Sequence, residues 1–130
     1  MKSRILALVG LLFTASYAHA ACNQPDLKGT WITTQAAVRA EEPHSGQCKL
    51  VVDKTGNVLE GSYCSFYPMA PIELATTGLI KFAKDCSALI KLSLGDWEGS
   101  VQVSKNKQVW AGRFKAQGDT VYGTTTAIKQ

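Results

Sequence analysis

The sequence predicts an all-β fold, an eight-stranded antiparallel up-and-down barrel stapled by disulfides. Three observations carry this reading. Apolar and polar residues alternate over several short runs, which is the period of a half-buried strand. Clusters of Gly, Asn and Asp punctuate those runs, as tight turns require. Four cysteines, Cys22, Cys48, Cys64 and Cys86, follow a leader of the export type.

The leader opens the chain. Lys2 and Arg4 make a positive head, and Ile5 to Phe13 is apolar apart from Gly10. Ala18-His19-Ala20 then places small residues at the two positions a signal peptidase reads. Residues 1–20 therefore read as a cleavable signal peptide, with an apolar run too short to span a bilayer. The expected destination is the periplasm or the exterior. Cys22 also raises acylation as a lipoprotein, although His19 stands where a large apolar residue would be wanted.

The 110 residues that remain, 21–130, fit a single domain. A domain of that size buries roughly two-thirds of its unfolded surface. Without Lys2 and Arg4 it keeps 12 basic and 10 acidic side chains, interspersed along the chain. That balance lacks the dense basic footprint of a nucleic-acid binder. No later stretch is long and apolar enough to suggest a membrane span. An even cysteine count in an exported small domain points to two disulfides. The cysteine spacings of 26, 16 and 22 do not suit zinc, whose ligands come in close pairs.

The strands follow in order. Gly29 to Gln35 carries Trp31 between threonines. Cys48, Leu50 and Val52 lead into the turn Asp53-Lys54-Thr55-Gly56-Asn57, and Val58 to Cys64 returns. A fourth strand covers Leu74 to Phe82. Beyond it, Ile90, Leu92 and Leu94 alternate with Lys91 and Ser93. Gly95-Asp96 reads as a two-residue hairpin loop, which sets Leu94 against Trp97, Leu92 against Gly99 and Ile90 against Val101. The next strand brings Trp110, Gly112 and Phe114 to Val103, Val101 and Gly99. A turn at Gln117-Gly118-Asp119 leads into Thr120 to Ala127, the eighth strand. Closure into a barrel removes the exposed edges of such a sheet, and glycines inside strands suit its tight bends. A sandwich is the alternative.

Cys48 and Cys64 lie on consecutive strands of the hairpin centred near Thr55-Gly56, so Cys48–Cys64 and Cys22–Cys86 are the favoured pairs. One conflict attends this pairing. If Leu50, Val52, Leu59 and Tyr63 all face inward, Cys64 faces away from Cys48. A bulge near Gly56 or Gly61 would have to reconcile them.

Two connections are longer than turns, Ala36–Gly46 and Ser65–Glu73. In an up-and-down order both emerge at the same end, so both rim one mouth. Long loops on a rigid scaffold are the usual seat of function. The expected binding residues are the apolar anchors Phe66, Tyr67 and Met69 and the polar rim of Arg39, Glu41, Glu42 and His44. The alternative role for Tyr63, Phe66, Tyr67 and Met69 is to plug the barrel as core. Enzymatic patterns are sparse. His44 is the one histidine after the leader, and Ser45 beside it lacks an orienting acid and an oxyanion hole in the sequence. Asp96 and Glu98 sit two apart at a turn. No catalytic residue, metal or cofactor is expected. The function this implies is non-enzymatic binding, either of a protein at the rim or of a small apolar ligand in a cavity lined by Trp97, Trp110 and Phe114.

Leu27-Lys28-Gly29-Thr30-Trp31 resembles the G-x-W start of lipocalin-like and avidin-like barrels, the calycin group. Asn57-Val58-Leu59-Glu60-Gly61-Ser62-Tyr63 is similar to the second avidin hairpin. The resemblance implies that Trp31 plugs the closed end, and a carrier role would follow from it. Thr33 stands where an avidin-like protein places asparagine, so biotin binding is not implied. The G-x-W strand followed by Cys48 and Cys64 also resembles small bacterial metalloprotease inhibitors of the same barrel type. That likeness implies a hydrolase inhibitor. A bridge at Cys22 would tether the free N-terminal trunk their mechanism uses.

Overall fold

The structure is a computed structural model that describes residues 21–39, 42–67 and 73–130. Residues 1–20, read above as a signal peptide, Glu41, Met69, the prolines at 68 and 71, and the side chain of Glu42 lie outside the described residues. The strands are β1 (Gly29–Arg39), β2 (Glu42–Val52), β3 in two segments (Asn57–Val58 and Tyr63–Tyr67), β4 in two segments (Leu74–Ala75 and Gly78–Phe82), β5 (Ser87–Leu92), β6 (Trp97–Val103), β7 (Val109–Ala116) and β8 (Val121–Lys129). Each pairs antiparallel with the next, and β8 returns to pair with β1, so the eight strands close into a barrel.

Alternation places one row of each strand inside. Trp31, Leu50, Val52, Ile80, Ile90, Val101 and Trp110 form a buried core. One end is sealed. The Trp31 and Trp110 rings stack with centroids 4.4 Å apart. A 3-10 turn, Gln24–Leu27, folds beneath them, its Leu27 fully buried. Trp31 Nε1 donates to the Leu27 carbonyl at 2.8 Å, and Lys129 Nζ donates to the Asp26 carbonyl at 2.8 Å. Gln24 clips this lid to the wall, donating to the carbonyls of Thr55 and Ile80 and accepting from the Phe82 N–H. The Cys22–Cys86 disulfide ties the same segment to the turn before β5.

The β6–β7 ladder follows the sequence reading: Val103 faces Trp110, Val101 faces Gly112 and Gly99 faces Phe114. The β5–β6 hairpin does not. Leu92 faces Trp97, Ile90 faces Gly99 and Ala88 faces Val101, a slip of two residues from the expected register. A two-residue slip preserves sidedness. Leu94 leaves the strand and packs against the core from the turn, while the Ser93 hydroxyl accepts the Thr77 N–H at 3.1 Å.

The Cys48–Cys64 bridge is present, and the two residues face one another directly. The sidedness expected for β3 was inverted: Val58, Ser62 and Cys64 are buried, while Leu59 is exposed. Between the two segments of β3, residues 59–62 bulge, with Gly61 at a φ of 87°. The bulge shifts the pairing by two residues, since Val52 faces Val58 but Lys49 faces Tyr63. Even residues therefore stay inside on both flanks. The Ser62 hydroxyl accepts the Val51 N–H at 2.8 Å, replacing the ladder bond lost there.

The first long loop is mostly strand. Ala36 pairs with Ser45, Ala37 with His44, Val38 with Pro43 and Arg39 with Glu42, so β1 and β2 form one long hairpin. Among the described residues, β2 pairs with β3 from Ser45 onward and none pairs with Pro43 on that side, which suits a proline in a strand. Ser65, Phe66 and Tyr67 likewise belong to β3.

Candidate functional site

The strand ends that flank the first, third, fifth and seventh connections lie at the end opposite the Trp31 seal. A cavity of about 150 Å³ opens among them. Its walls come from all four hairpins: Ala37, His44 and Gly46 from the first, Phe66 and Leu74 from the second, Leu94 from the third, and Phe114, Ala116 and Val121 from the fourth. Gln35, at 3 % exposure, supplies a polar group to the lining, and its Nε2 donates to Cys48 Sγ at 3.3 Å. Deeper in the barrel Thr33 and Thr125 are also buried.

Of the expected rim residues, Arg39, His44 and Phe66 line this cavity. Arg39 is exposed and, among the described residues, forms no ion pair. His44 points inward, and its Nε2 is buried without a hydrogen-bond partner among the described residues. Ser45 is exposed on the outer face, so strand alternation separates it from the His44 side chain. Phe66 is half-buried against the core and faces Gly46, where a side chain would collide with the ring. Tyr67 stands out at 73 % exposure. The two adjacent aromatics therefore divide the alternative posed by the sequence: Phe66 is wall, Tyr67 is rim.

The expected apolar lining is corrected. Phe114 reaches the cavity, but Trp97 and Trp110 are packed within the core. Trp97 stacks on Phe114 with centroids 5.0 Å apart. Sequence reasoning missed Gln35, Leu94, Ala116 and Val121. The rule that placed the first and third connections at one mouth applies equally to the fifth and seventh, and it would have found the last three.

Charge sits mainly outside. Lys91 Nζ lies 2.8 Å from a Glu98 carboxylate oxygen, and this hydrogen bond, with the Lys91 charge, holds Glu98 below the usual carboxylate range. Lys115 is 3.0 Å from Asp119, which raises the lysine above its ordinary value. An open groove of about 420 Å³ runs along this outer wall past Leu89, Ser100 and Arg113. Among the described residues no three His, Cys, Asp or Glu side chains converge to hold a metal ion.

No protein-family model and no curated protein sequence matches the chain. A solved structure of a redesigned β-barrel does. It superposes with a TM-score of 0.56 at 14 % identity, covering 85 % of this chain and 98 % of that one. At that identity the likeness speaks for the barrel fold alone.

Proposed function

We propose that the protein is an exported, non-enzymatic binding module that grips a protein partner with its open mouth, in the manner of a hydrolase inhibitor. The observation that carries this reading is Tyr67, 73 % exposed in β3 next to Phe66, which lines the 150 Å³ cavity. Exposed aromatics beside a small desolvated pocket are the anatomy of an interface hot spot. A cavity of about 150 Å³ accommodates one benzene-sized group. Small-molecule sites usually need about 300 Å³ or more. Insertion of a single partner side chain fits that volume better than carriage of an apolar ligand, because the stacked tryptophans already fill the rest of the barrel. The Trp31 seal is the arrangement a calycin-like barrel would have. The two disulfides suit an oxidising, extracytoplasmic compartment.

The test is affinity capture by the disulfide-bonded protein, run beside its Tyr67→Ala variant and followed by native mass spectrometry. Capture of a partner that the variant loses supports the reading. A small molecule retained in the native mass spectrum, with no partner captured, would turn it toward a carrier. Turnover that depends on His44 or Ser45 would overturn both.

A further inference from the structure

Three side-chain nitrogens are buried without a hydrogen-bond partner among the described residues: Trp97 Nε1, Trp110 Nε1 and His44 Nε2. The two indoles lie in the packed core, whereas His44 lines the cavity at the mouth. A buried polar atom without a partner costs stability. Beside a void, it is a group to which a ligand can supply the missing partner.

The register explains why the void lies there. Across the β1–β2 ladder Gln35 faces Gly46, and His44 faces Ala37. Each polar side chain stands opposite a residue with a small side chain or none, which leaves room beside it. Phe66 lies over Gly46 and closes that room on one side. Leu74, Leu94 and Phe114 complete a mainly apolar wall. Gln35 and His44 thus form a polar edge on an apolar cup of about 150 Å³, the size that takes one benzene ring. Arg39 is the only Lys, Arg, Asp or Glu in the lining, and it is exposed at the rim.

We propose that the cup receives a phenol ring, the side chain of a tyrosine on the protein partner. The inference rests on the reading of the mouth as the recognition surface and names the group inserted there. The ring packs among Phe66, Leu94 and Phe114, and its hydroxyl meets His44 Nε2. A turn of the imidazole about its last torsion, which is broad for histidine, brings that nitrogen round to the void. The lining selects against the other anchors. A lysine or arginine finds no carboxylate in it, and an aspartate or glutamate would lose its hydration among apolar groups. A phenylalanine fits the volume but leaves His44 unpaired.

The experiment is an amide NMR titration of the disulfide-bonded protein with N-acetyltyrosinamide, N-acetylphenylalaninamide and phenol. Each is taken to about 20 mM, because a ligand of so few atoms binds weakly. The expected result is saturable shifts at Ala37, His44 and Ala116, with the tyrosine amide bound about fivefold tighter than the phenylalanine amide, the worth of one hydrogen bond. His44→Phe should abolish that preference, and Ala37→Leu, which fills the cup, should abolish binding of all three probes. Circular dichroism checks the fold of both variants, and the wild-type comparison of the two amides stands without them. Absence of shifts at the mouth overturns the proposal. So does equal affinity for the two amides, or a preference that His44→Phe retains. Phenol that binds where the tyrosine amide does not also overturns it, since the occupant is then a free phenol. Partner capture that depends on Tyr67, with no binding of the tyrosine amide, overturns this inference and leaves the recognition role of the mouth standing. Binding of the tyrosine amide with no partner captured supports the phenol site and counts against that wider role.

Discussion

The Trp97 indole lies across Gly99, its neighbour two residues along the same inward row of β6. A Cβ at position 99 would run into the far edge of that indole, which also stacks on Phe114. The ring cannot swing aside without leaving Phe114, so Gly99→Ala overpacks the barrel. Overpacking of this kind costs about 1–3 kcal/mol. Urea denaturation should show a lowered midpoint with an unchanged slope. An unchanged midpoint would mean that Trp97 has another place to go.

The two disulfides constrain very different loops. Cys22–Cys86 closes a separation of 64 residues and Cys48–Cys64 one of 16. In the chain-entropy model the first is worth about 4 kcal/mol and the second about 3 kcal/mol. The first also anchors the lid that seals Trp31. Replacing Cys22 and Cys86 by serine should therefore lower the melting temperature more than replacing Cys48 and Cys64. It should also deprotect the Trp31 indole N–H to hydrogen exchange, because the Leu27 carbonyl that accepts it belongs to the lid.

Much of this architecture was legible, and the failures have physical causes. The β6–β7 register could be read because Trp110, Gly112 and Phe114 repeat with period two against Val103, Val101 and Gly99. The disulfide pairing followed from hairpin geometry. The inside of β3 was misread because Leu59 and Tyr63 look like core while Ser62 does not. Ser62 is buried for a backbone reason, to satisfy the Val51 N–H at the bulge. Gln35, Thr33 and Thr125 were invisible for a related reason, since hydrophobic patterning does not mark buried polar residues. Pattern alone reads Glu42–Gly46 as loop because its proline and charge oppose strand propensity, and pairing with β1 overrides them.

Asp53 organises the β2–β3 turn. Its carboxylate accepts from the Thr55 N–H and hydroxyl and from the Asn57 N–H and side-chain amide, at 2.7–3.0 Å. The Thr55 and Asn57 side chains, more than any other cause, hold its pKa well below the usual carboxylate range. The folded state then binds fewer protons than the unfolded chain, so stability rises with pH. The contribution is complete above the ordinary carboxylate pKa of about 4 and falls away as pH drops below it. Asp53→Asn should flatten the decline of the urea midpoint between about pH 4 and pH 2 relative to wild type. Parallel curves for the two proteins would show that the turn carries no such linkage.

Phe66 and Tyr67 are adjacent in sequence and opposite in exposure, which gives the mouth its sharpest test. Phe66 packs against the core and fills the space over Gly46. Removing it should leave a void and destabilise the barrel by about 2 kcal/mol, less than for a fully buried ring. Tyr67 supports nothing inside, being 73 % exposed. Tyr67→Ala should shift stability by no more than about 0.5 kcal/mol. If the mouth is the recognition surface, the same substitution should weaken partner binding by about 2 kcal/mol or more. Arg39→Ala, at the solvated rim, should weaken it by less than about 1 kcal/mol and chiefly change its salt dependence. Thermal melts and a binding isotherm on the three variants separate these outcomes. Loss of stability without loss of affinity across all three would place the partner on another face of the barrel, with the mouth reduced to the open end of a packed core.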